Sequence, residues 1–138
     1  MLCYIIELVN SNKLVVEIKR PVGEVFEYAI NPRNTHKWIS TIIKEETNEW
    51  PVGLGSEYAN QNGAGKWSGY KVTTFEKDKL FELTAKDGNY HVRYTFISLS
   101  DNSCTLDYYE WVDSGDLENH SFLKNALQKL KSLLETTV

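Results

Sequence analysis

The sequence contains few of the residues that define the specialised classes of small protein. Its 138 residues include two cysteines, Cys3 and Cys104, which are too few for a disulfide scaffold or a cysteine-based metal site. Only three prolines and eight glycines are present, and no low-complexity tract occurs. We therefore expect one globular domain over residues 1–138, with both thiols reduced and embedded in strands.

Clusters of basic residues and long apolar runs are also missing. The net charge is −4, and no basic run is longer than Lys19-Arg20, whereas nucleic acids and anionic membranes bind clustered Lys and Arg. No segment approaches the ~20 apolar residues of a membrane span. The start, MLCYIIELVNSNK, lacks the basic region and the long apolar run of a signal peptide. We expect a cytoplasmic monomer or weak homodimer, with no nucleic-acid partner and no membrane insertion.

Motifs for metal and phosphate chemistry are absent as well. His36, His91 and His120 lie on different predicted elements, without His-x-x-His or Cys-x-x-Cys spacing. There is no G-x-S-x-G motif, and the glycine pair in residues 63–66 joins two predicted strands, which is not the context of a phosphate loop. We expect no bound metal and no other cofactor.

The clearest positive pattern is an amphipathic helix from Leu117 to about Glu135. Its polar residues fall on one side, and its apolar residues recur at three- and four-residue spacings on the other. The apolar stripe consists of Leu123, Ala126, Leu127, Leu130, Leu133 and Leu134. A long helix that follows a sheet buries such a stripe against the apolar face of the sheet.

Most of the remaining chain alternates with the two-residue period of β-strands. Residues 3–9 and 13–19 predict a hairpin around Asn10-Ser11-Asn12, although one long bulged strand has a similar pattern. Two short helices follow, one beginning at Pro21 and ending before Pro32, and one from Pro32 or Arg33 to about Trp38. An antiparallel meander is then predicted, with strands at 42–50, 56–61, 66–76, 80–85, 90–98 and 104–112. This order predicts an α+β helix-grip fold, a curved antiparallel sheet wrapped around the long C-terminal helix, with the two short helices plugging one end of the groove.

Three stretches carry a family resemblance. RPVGEVFEYAINPRNTHKW is similar to the opening P-x-x-x-V-F-x-[YL]-x-x-[DN]-P-x-x-x-x-x-W of the START-related, birch-pollen-allergen-like (SRPBCC) superfamily, in particular its polyketide cyclase/dehydrase-like branch. PVGLGSEY followed by YKVTTFEKDKLFEL resembles its G-x-G-[ST] turn and the hairpin that follows, and LKNALQKLKSLLE resembles its closing helix. The chain departs from the pattern in its N-terminal segment, residues 1–12, and in having no proline in the turn at residues 76–79.

The resemblance implies a deep, mostly apolar cavity between the sheet and the long helix. Related proteins use this cavity for lipids, polyketides, sterols or hormones; some are enzymes, and others are carriers, sensors or co-chaperones. By the same analogy Tyr70 and Val72 point inward, although the alternation around residues 67–75 fits either face. The fold alone does not choose among these functions.

Glu110 is the candidate catalytic residue. It shares the inward phase of Tyr108 and Val112, and a carboxylate among aromatic side chains is costly unless it is paired or protonated. We expect a raised pKa for Glu110, either as a general acid or base or as a structural partner of Tyr94, Tyr58 or an early-helix N–H.

The remaining candidates are predicted to contact a ligand. Trp38 caps the cavity mouth or fills the core, and Trp50 and Trp111 are candidates for a partner surface. The full predicted ligand-binding set is Trp38, Tyr58, Tyr70, Val72, Phe81, Leu83, Tyr94, Tyr108, Glu110, Leu123, Ala126 and Leu127.

Three functions fit these patterns. The first is binding of a small hydrophobic molecule that is lipid-, polyketide- or sterol-like, with Glu110 as a polar anchor. The second is a cyclase- or dehydratase-type enzyme in which Glu110 and a tyrosine move protons. The third is a protein-interaction module resembling the heat-shock ATPase activators, with an exposed aromatic patch and a filled cavity.

Overall fold

A curled antiparallel sheet surrounds one long helix in this protein. The computed structural model describes residues 8–118 and 121–136. The helices are α1 (Val22–Ile30), α2 (Thr35–Trp38) and α3 (Ser121–Glu135). The strands are β1 (Leu8–Val9), β2 (Ser11–Ile18), β3 (Ile42–Thr47), β4 (Glu57–Asn62), β5 (Trp67–Glu76), β6 (Leu80–Ala85), β7 (Tyr90–Ser100), β8 (Ser103–Val112) and β9 (Leu117–Glu118). This is the predicted α+β helix-grip fold.

The main sheet has seven strands in the order β2-β8-β7-β6-β5-β4-β3. Strands β3 to β8 form the predicted meander, in which each strand pairs with the one before it. The predicted N-terminal hairpin is wrong, because β2 pairs with β8 and β1 pairs with β9. The triplet at residues 10–12 does not turn the chain back, since Ser11 and Asn12 already lie opposite Trp111 and Glu110. The other predicted hairpin residues, 3–7, lie outside the described part of the chain.

The apolar stripe of α3 packs into the concave face of the sheet. Leu123, Ala126, Leu127 and Leu134 are buried, and Leu130 has no exposed surface. The helix begins later than predicted, at Ser121, because Leu117 and Glu118 form the short strand β9 opposite β1.

The two short helices cover the other part of the same face. Helix α1 begins at Val22, one residue later than predicted, and Pro21 immediately precedes it with extended backbone angles of φ −57° and ψ 140°. Phe26 of α1 packs edge-on against Phe96 at 5.1 Å and Phe75 at 5.8 Å, measured between ring centroids. The helix ends at Ile30, since the residue before a proline avoids helical geometry.

Two β-bulges change which side chains face the core. The first is at Thr73 in β5, where Val72 lies opposite Leu83 and Thr74 lies opposite Glu82. The second is at Ile43 in β3, between the pairs Ile42–Asn62 and Lys44–Gln61. An extra residue on one strand reverses the alternation beyond it. The bulge at Thr73 explains why neither simple phase fits β5, since Val72 and Phe75 both pack against the core.

Burial of the α3 stripe should dominate the stability of the fold. We expect Leu130→Asp to lower the free energy of unfolding by at least about 3 kcal/mol, since it removes a buried side chain and places a carboxylate in an apolar site. Denaturant unfolding followed by circular dichroism measures the change. Gln128→Asp, on the exposed side of the same helix, is the matched control and should change stability by less than about 1 kcal/mol. An equally small loss for Leu130→Asp would contradict the packing of α3 on the sheet.

Candidate functional site

A cavity of about 360 Å³ opens between the sheet, the end of α1, the segment that joins α2 to β3, and the start of α3. Its wall combines aliphatic, aromatic and polar side chains from most of the strands. The lining residues are Ala29, Ile30, Thr35, Ile39, Thr41, Ile42, Glu45, Tyr58, Asn60, Asn62, Ser68, Tyr70, Phe81, Leu83, Tyr90, Val92, Tyr94, Tyr108, Glu110 and Phe122. Apolar atoms form the larger part of its surface, with polar groups at several points.

The predicted ligand-binding residues divide into two groups. Tyr58, Tyr70, Phe81, Leu83, Tyr94, Tyr108 and Glu110 line the cavity. Trp38, Val72, Leu123, Ala126 and Leu127 are buried but do not line it, so they belong to the packing between helices and sheet. Trp38 has 1% of its surface exposed, and its ring meets those of Tyr94 at 6.0 Å and Tyr108 at 6.4 Å. Of its two predicted roles, the core plug is the one that this position fits.

Glu110 points into the cavity from β8, and each of its carboxylate oxygens accepts a hydrogen bond from a neutral group. The hydroxyl of Tyr90 donates to Glu110 Oε1 at 2.7 Å, and Asn12 Nδ2 donates to Oε2 at 3.0 Å. These are not the partners predicted for a structural role, because the Tyr58 hydroxyl is engaged elsewhere and donates to the Ile30 carbonyl at 2.6 Å. Asn12 occurs opposite Glu110 because β2 joins the sheet beside β8.

Glu45 is a second carboxylate in the cavity wall, and it is not among the site residues predicted from the sequence. The hydroxyl of Thr35 donates to Glu45 Oε1 at 2.6 Å, and Asn60 Nδ2 approaches Oε2 at 3.3 Å. Burial raises the pKa of Glu45 from 4.5 to about 7, although the hydrogen bonds from Thr35 and Asn60 oppose the shift. A carboxyl group that changes charge near neutral pH therefore faces the cavity.

The bulge at Ile43 explains why the sequence pattern does not reveal Glu45. In a regular strand that places Ile42 inward, Lys44 would also face the cavity and Glu45 would face solvent. With the extra residue, Ile43 is exposed and Glu45 lines the cavity together with Ile42. The local signal that could have raised the possibility is the apolar pair Ile42-Ile43 at the start of a charged strand.

The tyrosines of the wall remain neutral hydrogen-bonding groups over the physiological pH range. Burial raises the pKa of Tyr58 and, with smaller contributions from neighbouring acidic groups, the pKa values of Tyr90, Tyr94 and Tyr108. Four of the wall tyrosines form two ring pairs, with Tyr94 stacked on Tyr108 at 5.0 Å and Tyr70 edge-on to Tyr90 at 6.3 Å. The cavity thus offers aromatic surface with hydroxyl groups and carboxyl groups at defined points.

Neither a cluster of typical metal ligands nor a membrane-spanning helix is found in the described part of the chain. Within residues 8–118 and 121–136, no group of three or more His, Cys, Asp and Glu side chains is arranged to hold a metal ion. No described helix is long and apolar enough to cross a membrane.

The sequence pattern of one protein family, described as "Polyketide cyclase / dehydrase and lipid transport", matches residues 12–135. The chain belongs to this family. The match begins in β2 and extends to the end of α3, so it includes the seven-stranded sheet apart from Ser11 and the whole cavity wall. Membership and fold together support a ligand-binding domain of the SRPBCC type, and the ligand is left open.

Solved structures confirm the fold of this polyketide cyclase/dehydrase family member. Protein MLL2253 from Mesorhizobium loti superposes with a TM-score of 0.69 at 16% identity, over 92% of this chain and 99% of that one. Protein CV1439 from Chromobacterium violaceum superposes with a TM-score of 0.67 at 15% identity, over 93% of this chain and 99% of that one. The Aha1 dimer from Colwellia psychrerythraea superposes with a TM-score of 0.66 at 14% identity, over 91% of this chain and 96% of that one. A search of curated protein sequences found no significant match.

The raised pKa of Glu45 should make the protein less stable as the pH rises. The unfolded chain releases this proton near pH 4.5 and the folded protein near pH 7, so the folded state binds more protons between these values. Stability attributable to Glu45 is therefore present below pH 4.5, falls as the pH rises and is fully lost above about pH 7. We expect Glu45→Gln to be more stable than the wild type at pH 8 by about 1–3 kcal/mol and to differ little at pH 4.5.

Urea unfolding at both pH values measures this difference. Glu46→Gln is the matched control, because Glu46 is the next residue of β3 and its carboxylate is exposed, 3.1 Å from Lys44 Nζ. It should change stability by less than about 1 kcal/mol at either pH. A difference for Glu45→Gln that does not depend on pH would show that Glu45 titrates normally.

Proposed function

We propose that this protein binds a compact, hydrophobic small molecule, polyketide-like in combining aromatic surface with polar substituents, in the cavity between the sheet and α3. The observation that carries the proposal is the cavity itself, about 360 Å³ in volume, with aromatic walls and hydrogen-bonding groups at defined positions. Binding sites for small molecules typically combine such apolar surface with a few placed polar groups.

The composition of the wall favours a polyketide-like ligand over a straight lipid chain or a sterol. Tyr70, Tyr90, Tyr94 and Tyr108 supply flat contact surface and hydroxyl groups, while Glu45 and Glu110 supply strong acceptors. A purely aliphatic ligand would cover these polar groups without replacing their contacts with water, which is unfavourable. A molecule with rings and polar substituents satisfies both kinds of surface.

The alternative of a protein-interaction module has less support. That hypothesis expected a filled cavity and an exposed aromatic patch, and here the cavity is open space. Trp111, one of the candidates for such a patch, is packed between His91 at 4.8 Å and Tyr109 at 4.9 Å, with the Arg93 guanidinium 5.5 Å from its ring. Trp50, Trp67 and Phe122 are exposed, in the turn after β3, in β5 and in α3, and exposed aromatic residues on three different elements are not by themselves evidence of an interface.

Uptake of the neutral dye Nile red should test the binding function. We expect a fluorescence increase on mixing with the wild type and at least a tenfold weaker affinity for Leu83→Trp, because the larger ring occupies part of the cavity. Ile97→Trp, on an exposed position of β7, is the matched control and should bind the dye as the wild type does. No uptake by the wild type, or equal uptake by Leu83→Trp, would contradict binding in this cavity.

The second candidate, a cyclase- or dehydratase-type enzyme, is favoured by Glu45. General acid–base catalysis is most effective when the pKa of the group lies near the working pH, and burial raises the pKa of Glu45 to about 7. Glu45 would be the proton-transferring group and Tyr58, whose pKa burial also raises, a neutral wall residue beside it. Glu110, the residue predicted from sequence, would then orient the substrate together with Tyr90.

A generic base reaction can show whether Glu45 removes protons from a bound molecule. In 5-nitrobenzisoxazole, a base takes the proton on C3 while the N–O bond breaks, giving 2-cyano-4-nitrophenolate, which is followed by its absorbance. We expect the protein to accelerate this reaction with a rate that rises through about pH 7, and Glu45→Gln to lose about 100-fold or more in kcat/KM. Glu46→Gln should retain the activity. A rate that Glu45→Gln leaves unchanged would exclude Glu45 as the base.

A further inference from the structure

The wall of the cavity carries acidic groups without a basic one. Among the described residues that line it, the charged or chargeable side chains other than tyrosine are Glu45 and Glu110, and none is Lys, Arg or His. An organic anion such as a fatty acid would place a further negative charge beside these carboxylates in a site with limited access to water. Like charges in such surroundings repel strongly, so the cavity disfavours carboxylate and phosphate ligands.

Elsewhere the same sheet provides a cation for a buried carboxylate. Glu82, on the outer face of β6, accepts hydrogen bonds from Arg93 Nε at 2.9 Å and Nη2 at 2.6 Å. In the cavity, the hydrogen-bond donors to Glu45 and Glu110 are neutral amide and hydroxyl groups. A carboxylate has about four acceptor positions, and the hydrogen bonds to Glu45 are one short and one long. Glu45 therefore has capacity for a further, charged donor.

The aromatic part of the wall also suits a positive charge. The faces of tyrosine and phenylalanine rings attract cations through their quadrupole. Tyr58 and Phe81 meet edge-on at 5.6 Å, and Phe81 and Tyr94 lie 5.5 Å apart, which places several rings around the same space. This surface lacks the usual ligand set of a metal ion, because among the described residues no group of three or more His, Cys, Asp and Glu side chains is arranged to hold one. An organic cation, which needs one carboxylate and aromatic surface, fits better.

We propose that the cavity selects an organic cation, an amine whose ammonium group binds the Glu45 carboxylate while its ring or apolar part packs on the tyrosines. This inference rests on the proposed binding function and adds the charge of the ligand to it. Glu45 is the anchor rather than Glu110, since the two hydrogen bonds to Glu110, from Tyr90 at 2.7 Å and from the buried Asn12 at 3.0 Å, are both within the usual range, whereas the second hydrogen bond to Glu45 is long at 3.3 Å.

The pH dependence of amine binding depends on the groups that surround Glu45. The groups that face it are Thr35 from α2, Asn60 and Tyr58 from β4, Tyr70 from β5 and Tyr94 from β7. The other ionisable residues of α2, His36 and Lys37, are exposed, and along β3 the side chains of Lys44 and Glu46 pair with each other at the surface. Glu110 is the other acid of the wall.

Burial raises the pKa of Glu45 to about 7, so below this pH the carboxyl group is mostly protonated. An ammonium group that binds the carboxylate must then displace the proton of Glu45. Affinity for the amine should therefore rise about tenfold per pH unit below this value and level off above it. At pH 7, binding should release about half a proton per ligand.

Three molecules of matched shape and different charge test the proposal. Tryptamine is a cation at neutral pH, tryptophol is neutral and indole-3-acetate is an anion. Isothermal titration calorimetry at pH 5.5, 7.0 and 8.0, in buffers that differ in ionisation enthalpy, gives the affinity and the number of protons released. The variants are Glu45→Gln and, as the control on the same strand, Glu46→Gln.

We expect the wild type and Glu46→Gln to bind tryptamine at least tenfold more tightly than tryptophol at pH 8, and indole-3-acetate least. The preference for tryptamine should disappear in Glu45→Gln, together with the proton release, while tryptophol still binds. Equal affinity for the three molecules, or a tryptamine preference that survives Glu45→Gln, would overturn the proposal. In the first of these cases Nile red uptake would still support the binding function, whereas failure of every probe, including the dye, would remove the binding function itself.

Discussion

The structure depends on covering one face of a strongly curled sheet. The meander from β3 to β8 and the added strand β2 place their apolar side chains on the concave face, and the three helices cover it. Leu123, Leu127, Leu130 and Leu134 bury the length of α3 in this groove. The cavity lies where this packing stops, near the start of α3, with Phe122 at its wall. The same arrangement thus supplies both the stability of the fold and the space for a ligand.

That space is chemically unusual for the interior of a protein. Glu45 lies in the cavity wall with two neutral donors, and burial raises its pKa to about 7. Buried carboxylates are normally paired with a cation or coordinate a metal. Holding an acid in this condition costs folding free energy above neutral pH, and a ligand that supplies the missing positive charge would recover part of it.

The sequence predicted the fold well because the fold follows from periodicity. The apolar stripe of α3 follows from spacings of three and four residues. The meander and the inward position of Glu110 follow from the two-residue alternation of β-strands, and both patterns are present in the structure. Glu45 could not be predicted, since a single extra residue at Ile43 reverses the alternation and depends on pairing with β4. The pairing of β1 with β9 is equally hidden, because each of those strands has only two residues and they are far apart in sequence.

The bulge at Ile43 has a second consequence, for how the sheet meets other chains. An open sheet ends in strands with unpaired backbone groups, which invite the addition of another strand. Here one edge, β3, is irregular at Ile43 and carries the Lys44–Glu46 ion pair. At the other edge, Lys131 of α3 donates to the Glu17 carbonyl of β2. Both borders are thus poor templates for aggregation, which allows the protein to keep an open groove without offering its sheet to a neighbour.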